Sequence, residues 1–176
     1  MTGRQRMFIA IWPPATVVSL LAGMARPADP GLRWSSADQW HVTLRFLGGV
    51  AEEERDRLAS AFHGLDLGAV APVEAVLGPT TSRFGDRVLY VPVAGVDALA
   101  SAVVGATADI GEPPDDRSFR GHVTLARSRG KGVDLRGLAG ASLSARWEVD
   151  ELSLVVSHTR PDGARYEIVD RRGVSR

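Results

Sequence analysis

The chain has 176 residues, 44% of them hydrophobic, with 21 basic and 21 acidic side chains and a formal net charge of +0 at pH 7. That length fits one domain with a sizeable core, and the balanced charge argues against gripping nucleic acid through bulk basicity. With no cysteine, disulfides, thiol catalysis and cysteine-based zinc sites are excluded. Met7 to Ile11 is a short apolar run stopped by Pro13-Pro14, and it predicts a buried strand. A helix with an apolar face from Val17 to Met24 follows, then a loop from Pro27 to Gly31. Trp40 to Leu47 predicts a strand ended by Gly48-Gly49, and Glu52 to Glu54 opens a helix running to about Phe62. Val73 to Leu77 and Arg87 to Val93 read as strands, and Val96 to Ile110 as a helix. Phe119 to Arg127 reads as another strand, and a short helical turn follows Arg129-Gly130-Lys131-Gly132. Trp147 to Val156 and Arg165 to Val169 read as two strands joined across the turn signal Pro161-Asp162-Gly163. No apolar run reaches membrane-spanning length, and Met7 to Ile11 is too short for a secretion signal, so a cytoplasmic location is the expectation.

Two of these strands carry the same four residues, His41-Val42-Thr43-Leu44 and His122-Val123-Thr124-Leu125. The chain has only four histidines. For this composition such a coincidence has a chance on the order of a few in a thousand. In a strand, alternate side chains share a face. His41 and Thr43 therefore point one way and Val42 and Leu44 the other, and His122 and Thr124 repeat the pattern. Strands brought together would offer two imidazoles and two hydroxyls, a kit for acid–base chemistry on an anion. A hydroxyl donates to a phosphate oxygen without adding charge. No H-x-H, H-x-x-x-H or H-E-x-x-H spacing is present, so no metal site is expected. Arg45 continues the polar face of the first strand and is a weaker candidate for an anion contact. Arg127 is the stronger one, but strict alternation puts it on the apolar face, so the strand must end or bulge before it. Phe84, in a Gly-rich connection, is a candidate either to stack on a nucleobase or to plug the core. Trp40 and Phe46 share the face of Val42 and Leu44 and are expected in the core. His63 and His158 are expected at the surface, apart from the chemistry.

The order of elements suggests one domain over residues 1–176, with two lobes related by an approximate two-fold. The paired H-x-T-x motifs resemble those of the 2H phosphoesterases. The flanks Arg6-Met7-Phe8-Ile9-Ala10-Ile11, Arg33-Trp34, Phe46-Leu47-Gly48, Arg87-Val88-Leu89-Tyr90-Val91, Ala126-Arg127 and Gly163-Ala164-Arg165-Tyr166 are similar to the bacterial and archaeal RNA 2′,3′-cyclic phosphodiesterases, formerly called 2′-5′ RNA ligases. The resemblance implies a bilobal α+β fold of two antiparallel sheets flanked by helices, with both motif strands in a central cleft. It implies metal-free opening of an RNA or nucleoside 2′,3′-cyclic phosphate to the 2′-phosphate, with no cofactor. His41 would then be the proton donor and His122 the acceptor, with Thr43 and Thr124 beside them. Expected partners are an RNA end bearing the cyclic phosphate or a small cyclic nucleotide, with no membrane and a monomer as default. The alternatives are a nucleotide- or RNA-binding module with vestigial activity, and 2′-5′ ligation as a side reaction. Trp12, before Pro13-Pro14, departs from the milder residue the resemblance leads one to expect.

Overall fold

The computed structural model describes residues 3–130 and 133–174, so Lys131 and Gly132 of the expected basic turn lie outside the described residues. Among the described residues ten strands and three α-helices follow in the order β1 (Gln5–Ile11), α1 (Ala15–Ala22), β2 (Leu32–Trp34), β3 (Val42–Val50), α2 (Arg55–His63), β4 (Glu74–Leu77), β5 (Ser82–Phe84), β6 (Val88–Ala94), α3 (Asp97–Ala106), β7 (His122–Ser128), β8 (Ala145–Glu148), β9 (Glu151–Arg160) and β10 (Gly163–Gly173). The fold is α+β and every strand pair is antiparallel. Instead of the expected two separate sheets there is one continuous ten-stranded sheet, in the order β10-β9-β1-β3-β7-β6-β4-β8, with β2 added to β7 and β5 to β6. What joins the two halves is the pairing of the motif strands β3 and β7 at Val42 and Val123.

Both faces of β1 are covered, which is why Met7 to Ile11 reads as an unbroken apolar run. Met7, Ile9 and Ile11 point into the main core with Leu58 and Phe62 of α2, Leu99 and Val103 of α3, and Val17 and Leu21 of α1. Phe8 and Ala10 point to the other face, where Val155, Trp12, Tyr166 and Ile168 gather around them. The single strand expected over Trp147 to Val156 divides at Val149-Asp150. β8 pairs with β4, whereas β9 pairs with β1 and β10 on the other side of the sheet. A continuous apolar run carries no sign of that change of partner.

Two β-bulges decide which side chains reach the second face. In β3, Ala10 pairs with Thr43 and Ile9 with Arg45, so Leu44 is the extra residue. In β7, Tyr90 pairs with Thr124 and Leu89 with Ala126, so Leu125 is the extra residue. Each bulge falls on the Leu of an His-Val-Thr-Leu motif and resets the alternation after it. The consequences differ because the following residues differ. Arg127 pairs with Val88 and is thrown onto the face of Thr124, the placement that the expected anion contact needs. Arg45 is turned away from Thr43 onto the face of Ile9 and is only 5% exposed. Its guanidinium donates to the carbonyls of Phe46 (2.7 Å), Ile110 (3.5 Å) and Glu112. The expectation that Arg45 contacts the anion is therefore corrected: it ties β3 to the segment after α3. Phe46, expected in the core, is 36% exposed with the Arg6 guanidinium 4.5 Å above its ring, whereas Trp40 is buried as expected.

Removing Arg45 strips a buried charged donor from three carbonyls. Arg45→Ala is expected to lower unfolding free energy by about 2–3 kcal/mol in a denaturant titration, whereas Arg127→Ala, at an exposed side chain, leaves the midpoint within error.

Candidate active site

His41 stands just before β3 and is held through its backbone neighbours. Its Nδ1–H donates to the Gln39 carbonyl at 2.8 Å. Gln39 is itself fixed, because its Nε2 donates to the Ala164 carbonyl of β10 at 2.7 Å and its Oε1 accepts from the Ser36 amide at 3.2 Å. A carbonyl can only accept, so this bond sets the tautomer and leaves Nε2 as the free position of the neutral ring. There it accepts the Thr43 hydroxyl at 3.0 Å. His122, the first residue of β7, is held in the same way: its Nδ1–H donates to the Arg120 carbonyl at 2.7 Å. Gly121 lets the strand lie close to β6, since a Cβ there would stand 2.3 Å from the Val93 carbonyl oxygen, which lies beside the Val93 amide that donates to Gly121 at 2.8 Å.

The Val42–Val123 pair brings the motifs together. In an antiparallel register through that pair, His41 lies across from Thr124 and Thr43 across from His122. Each imidazole then has a hydroxyl two residues along its own strand and another on the neighbouring strand. Both histidines and both threonines are half-buried, so all four remain open to solvent.

Aromatic rings wall both imidazoles. Phe8 and Trp12 stack on His41 at 4.9 and 5.1 Å between centroids, and Tyr166 meets it edge-on at 5.0 Å. Phe84 and Tyr90 meet His122 edge-on at 5.0 and 5.4 Å. Phe84 is stacked on Tyr90 at 4.0 Å, so it buttresses His122 and that face of its ring is not open to a nucleobase. Sequence reasoning misses the aromatic walls, because Phe8 reads only as part of an apolar run and Trp12 only as a departure from the pattern. Alternation along β1 is the available signal, since it puts Phe8 and Ala10 opposite the core positions. His63 and His158, expected at the surface, pair with Asp170 and Glu167 at 2.7 and 2.8 Å on the exposed surface.

Burial pushes the His41 imidazole down from 6.5 to about 4; the Gln39 carbonyl opposes this, and the nearby His122 and Arg127 add to it. His122 is also lowered, first by burial, with the Arg120 carbonyl opposing and Arg127 adding. Burial raises Tyr166, whose hydroxyl keeps its proton although Arg127, Arg33 and Arg6 lie near enough to pull it down. The site thus combines neutral imidazoles with uncompensated guanidinium charge, an arrangement that favours an anion. Among the described residues no group of three or more His, Cys, Asp or Glu side chains stands where a metal ion could be held.

Comparison with known proteins agrees with this geometry. The family model described as LigT like Phosphoesterase matches residues 11–76, which include the first motif. No curated protein sequence matches the chain. Among solved structures, TT0787 of Thermus thermophilus superposes with a TM-score of 0.81 at 26% identity, covering 96% of this chain and 97% of that one. Apo LigT of E. coli superposes at 0.75 with 24% identity, covering 99% of each chain. The MHV ns2 PDE domain superposes at 0.59 with 17% identity, covering 86% of this chain and 98% of that one. In sequence over residues 11–76, and in fold over almost its whole length, the chain is similar to the LigT-like phosphoesterases of the 2H superfamily.

The depressed imidazoles give a directional test. A group whose folded pKa lies below its unfolded value contributes stability above pH 6.5 and loses it as pH falls toward about 4. The melting temperature is expected to fall across that window, and less steeply in His41→Asn, where no imidazole has to charge. Saturating phosphate should raise the His41 midpoint in an NMR titration, since an anion between the rings stabilises the imidazolium.

Proposed function

We propose that the chain hydrolyses the 2′,3′-cyclic phosphate of an RNA end or a nucleoside to the 2′-phosphate, using His41 and His122 as an acid–base pair and no metal ion. The observation that carries this reading is the Val42–Val123 pairing, which sets two identically anchored imidazoles and two hydroxyls around one space. Water attacks phosphorus while His122 Nε2 takes its proton. The bond from phosphorus to the ribose 3′-oxygen breaks, and His41 Nε2–H gives that oxygen a proton. The products are a 2′-phosphomonoester and a free 3′-hydroxyl; solvent then returns a proton to His41 and removes one from His122. Thr43, Thr124 and Arg127 meet the charge that builds on the phosphoryl oxygens.

A proton donor needs a proton, yet His41 in its own protein surroundings holds one only near pH 4. The substrate resolves this: its negative charge, placed against the ring, raises the imidazole so that donor and anion arrive together. The division of roles follows the resemblance of the motifs, and the reaction is the same if they exchange. LigT of E. coli supports a phosphate-directed site in this fold, having been crystallised with phosphate, 3′-AMP, NADP+ and ATP at 23–24% identity to this chain. Among the described residues no helix is long and apolar enough to cross a membrane.

The test is to supply nucleoside 2′,3′-cyclic phosphates in the presence of EDTA and identify the product isomer. The 2′-phosphate is expected, at a rate that chelation does not change. His41→Ala and His122→Ala should each lose about 10²–10⁴-fold or more without unfolding, and the double variant should fall far less than the product of the two. Activity abolished by EDTA and restored by a divalent metal, or a 3′-phosphate product, would contradict the proposal.

A further inference from the structure

The two imidazoles are anchored alike but not equally. Each Nδ1–H donates to the carbonyl two residues before it, that of Gln39 for His41 and that of Arg120 for His122. Arg120 is exposed, whereas Gln39 is half-buried and both ends of its amide are engaged. Gln39 closes the short 3-10 turn Ala37–Gln39: its backbone N–H donates to the Ser36 carbonyl at 2.9 Å, and its Oε1 accepts the Ser36 amide at 3.2 Å. Its Nε2 donates to the Ala164 carbonyl at 2.7 Å, across a sequence separation of 125 residues. An amide N–H only donates and a carbonyl only accepts, so the two partners fix which end of the side chain is which.

Ala164 is the second residue of β10, and Tyr166 of the same strand meets the edge of the His41 ring. Gly163 leaves the approach open, since a Cβ there would stand 3.6 Å from Gln39 Nε2. Between Gln39 and His41 lies Trp40, which is buried in the main core. One side-chain amide therefore joins the turn that supplies the carbonyl of His41 to the strand that walls its ring. That carbonyl bears on proton transfer. A ring that has given up its Nε2 proton is left as the Nδ1–H tautomer, and an acceptor at Nδ1 favours both that tautomer and the charged ring before it. The other neutral tautomer would turn a nitrogen lone pair toward the carbonyl oxygen.

We propose that the Gln39 side chain is a positioning residue for His41, which latches the turn Ala37–Gln39 to β10 at Ala164 and so holds the carbonyl that sets the tautomer of the ring. Its kinetic consequence rests on the proposed function, but its main test reads the ring without substrate. Long-range proton–nitrogen NMR of the free protein, at a pH where both rings are neutral, reports the tautomer of each histidine. His41 and His122 of the wild-type protein are both expected as Nδ1–H. In Gln39→Met, which keeps the length and loses both bonds, His41 is expected to become a mixture of tautomers while His122 is unchanged. Turnover of a nucleoside 2′,3′-cyclic phosphate should fall about tenfold in kcat, with KM within about twofold, because a group is misplaced and substrate binding is not. Gln39→Glu keeps an oxygen for the Ser36 amide but sets an acceptor against the Ala164 carbonyl, so it should behave like Gln39→Met. An unchanged His41 tautomer in Gln39→Met overturns the proposal, and so does an equal change at His122, which would mark general loosening. A Gln39→Glu protein that behaves like wild type overturns it too, since the bond to Ser36 would then suffice. Failure to hydrolyse cyclic phosphates would overturn the proposed function, and the tautomer comparison would still decide the latch.

Discussion

The site depends on a single point of contact between two strands. β3 and β7 share only the Val42–Val123 pair, yet that pair both joins the halves of the sheet and sets the motifs against each other. Both valines are 0% exposed, so the junction is anchored from below by the core into which all three helices pack. From such an anchor strand geometry dictates the rest. The residues flanking each valine must rise on the opposite face, and in both strands those residues are His and Thr. Divergence of β3 and β7 beyond the pair opens space between the two halves of the sheet without breaking the covalent spacing of either motif.

Electrostatics then gives this space a preference. The imidazoles are neutral because burial disfavours their charged forms, and each has its Nδ1–H committed to a backbone carbonyl. The positive charge present belongs to arginines delivered by a β-bulge in one case and by the short strand β2 in the other. An anion entering the site relieves repulsion between guanidiniums and raises the imidazoles together. Under the proposed function, the same event would order the ligand and supply the proton donor. The aromatic walls of Phe8, Trp12 and Tyr166 serve this coupling. They flank the His41 ring and offer faces and edges to an imidazolium once it forms.

Much of this is legible in the chain itself. Repetition of His-Val-Thr-Leu identifies the motif strands and the faces of their first three residues, and the requirement for a bulge before Arg127 can be stated before its position is known. What the sequence conceals has physical causes. Arg45 and Arg127 follow identical tetrapeptides, and both are moved by a bulge at the motif Leu. Arg45 stands one residue past its motif Leu and Arg127 two past its own, so the same device buries the first and exposes the second. Strands β2 and β5 are three residues long, too short for periodicity to show, yet they bring Arg33 and Phe84 to the site. The joining of two expected sheets into one hangs on one residue pair, and no composition signal marks a contact of that size. Trp12 stands out only as a departure from the pattern, and its stacking on His41 becomes visible when α1 and β1 are seen to meet beside the first motif.

The central claim is that both motifs act on one phosphoryl group at once. The most direct measurement is a crystal structure with a uridine–vanadate complex, whose five-coordinate vanadium imitates the geometry of attack. The account predicts that the Nε2 atoms of His41 and His122 each lie about 2.6–3.2 Å from opposite apical oxygens, with the Thr43 and Thr124 hydroxyls on equatorial ones. Vanadate held by a single histidine, or bound outside the space between β3 and β7, would contradict it.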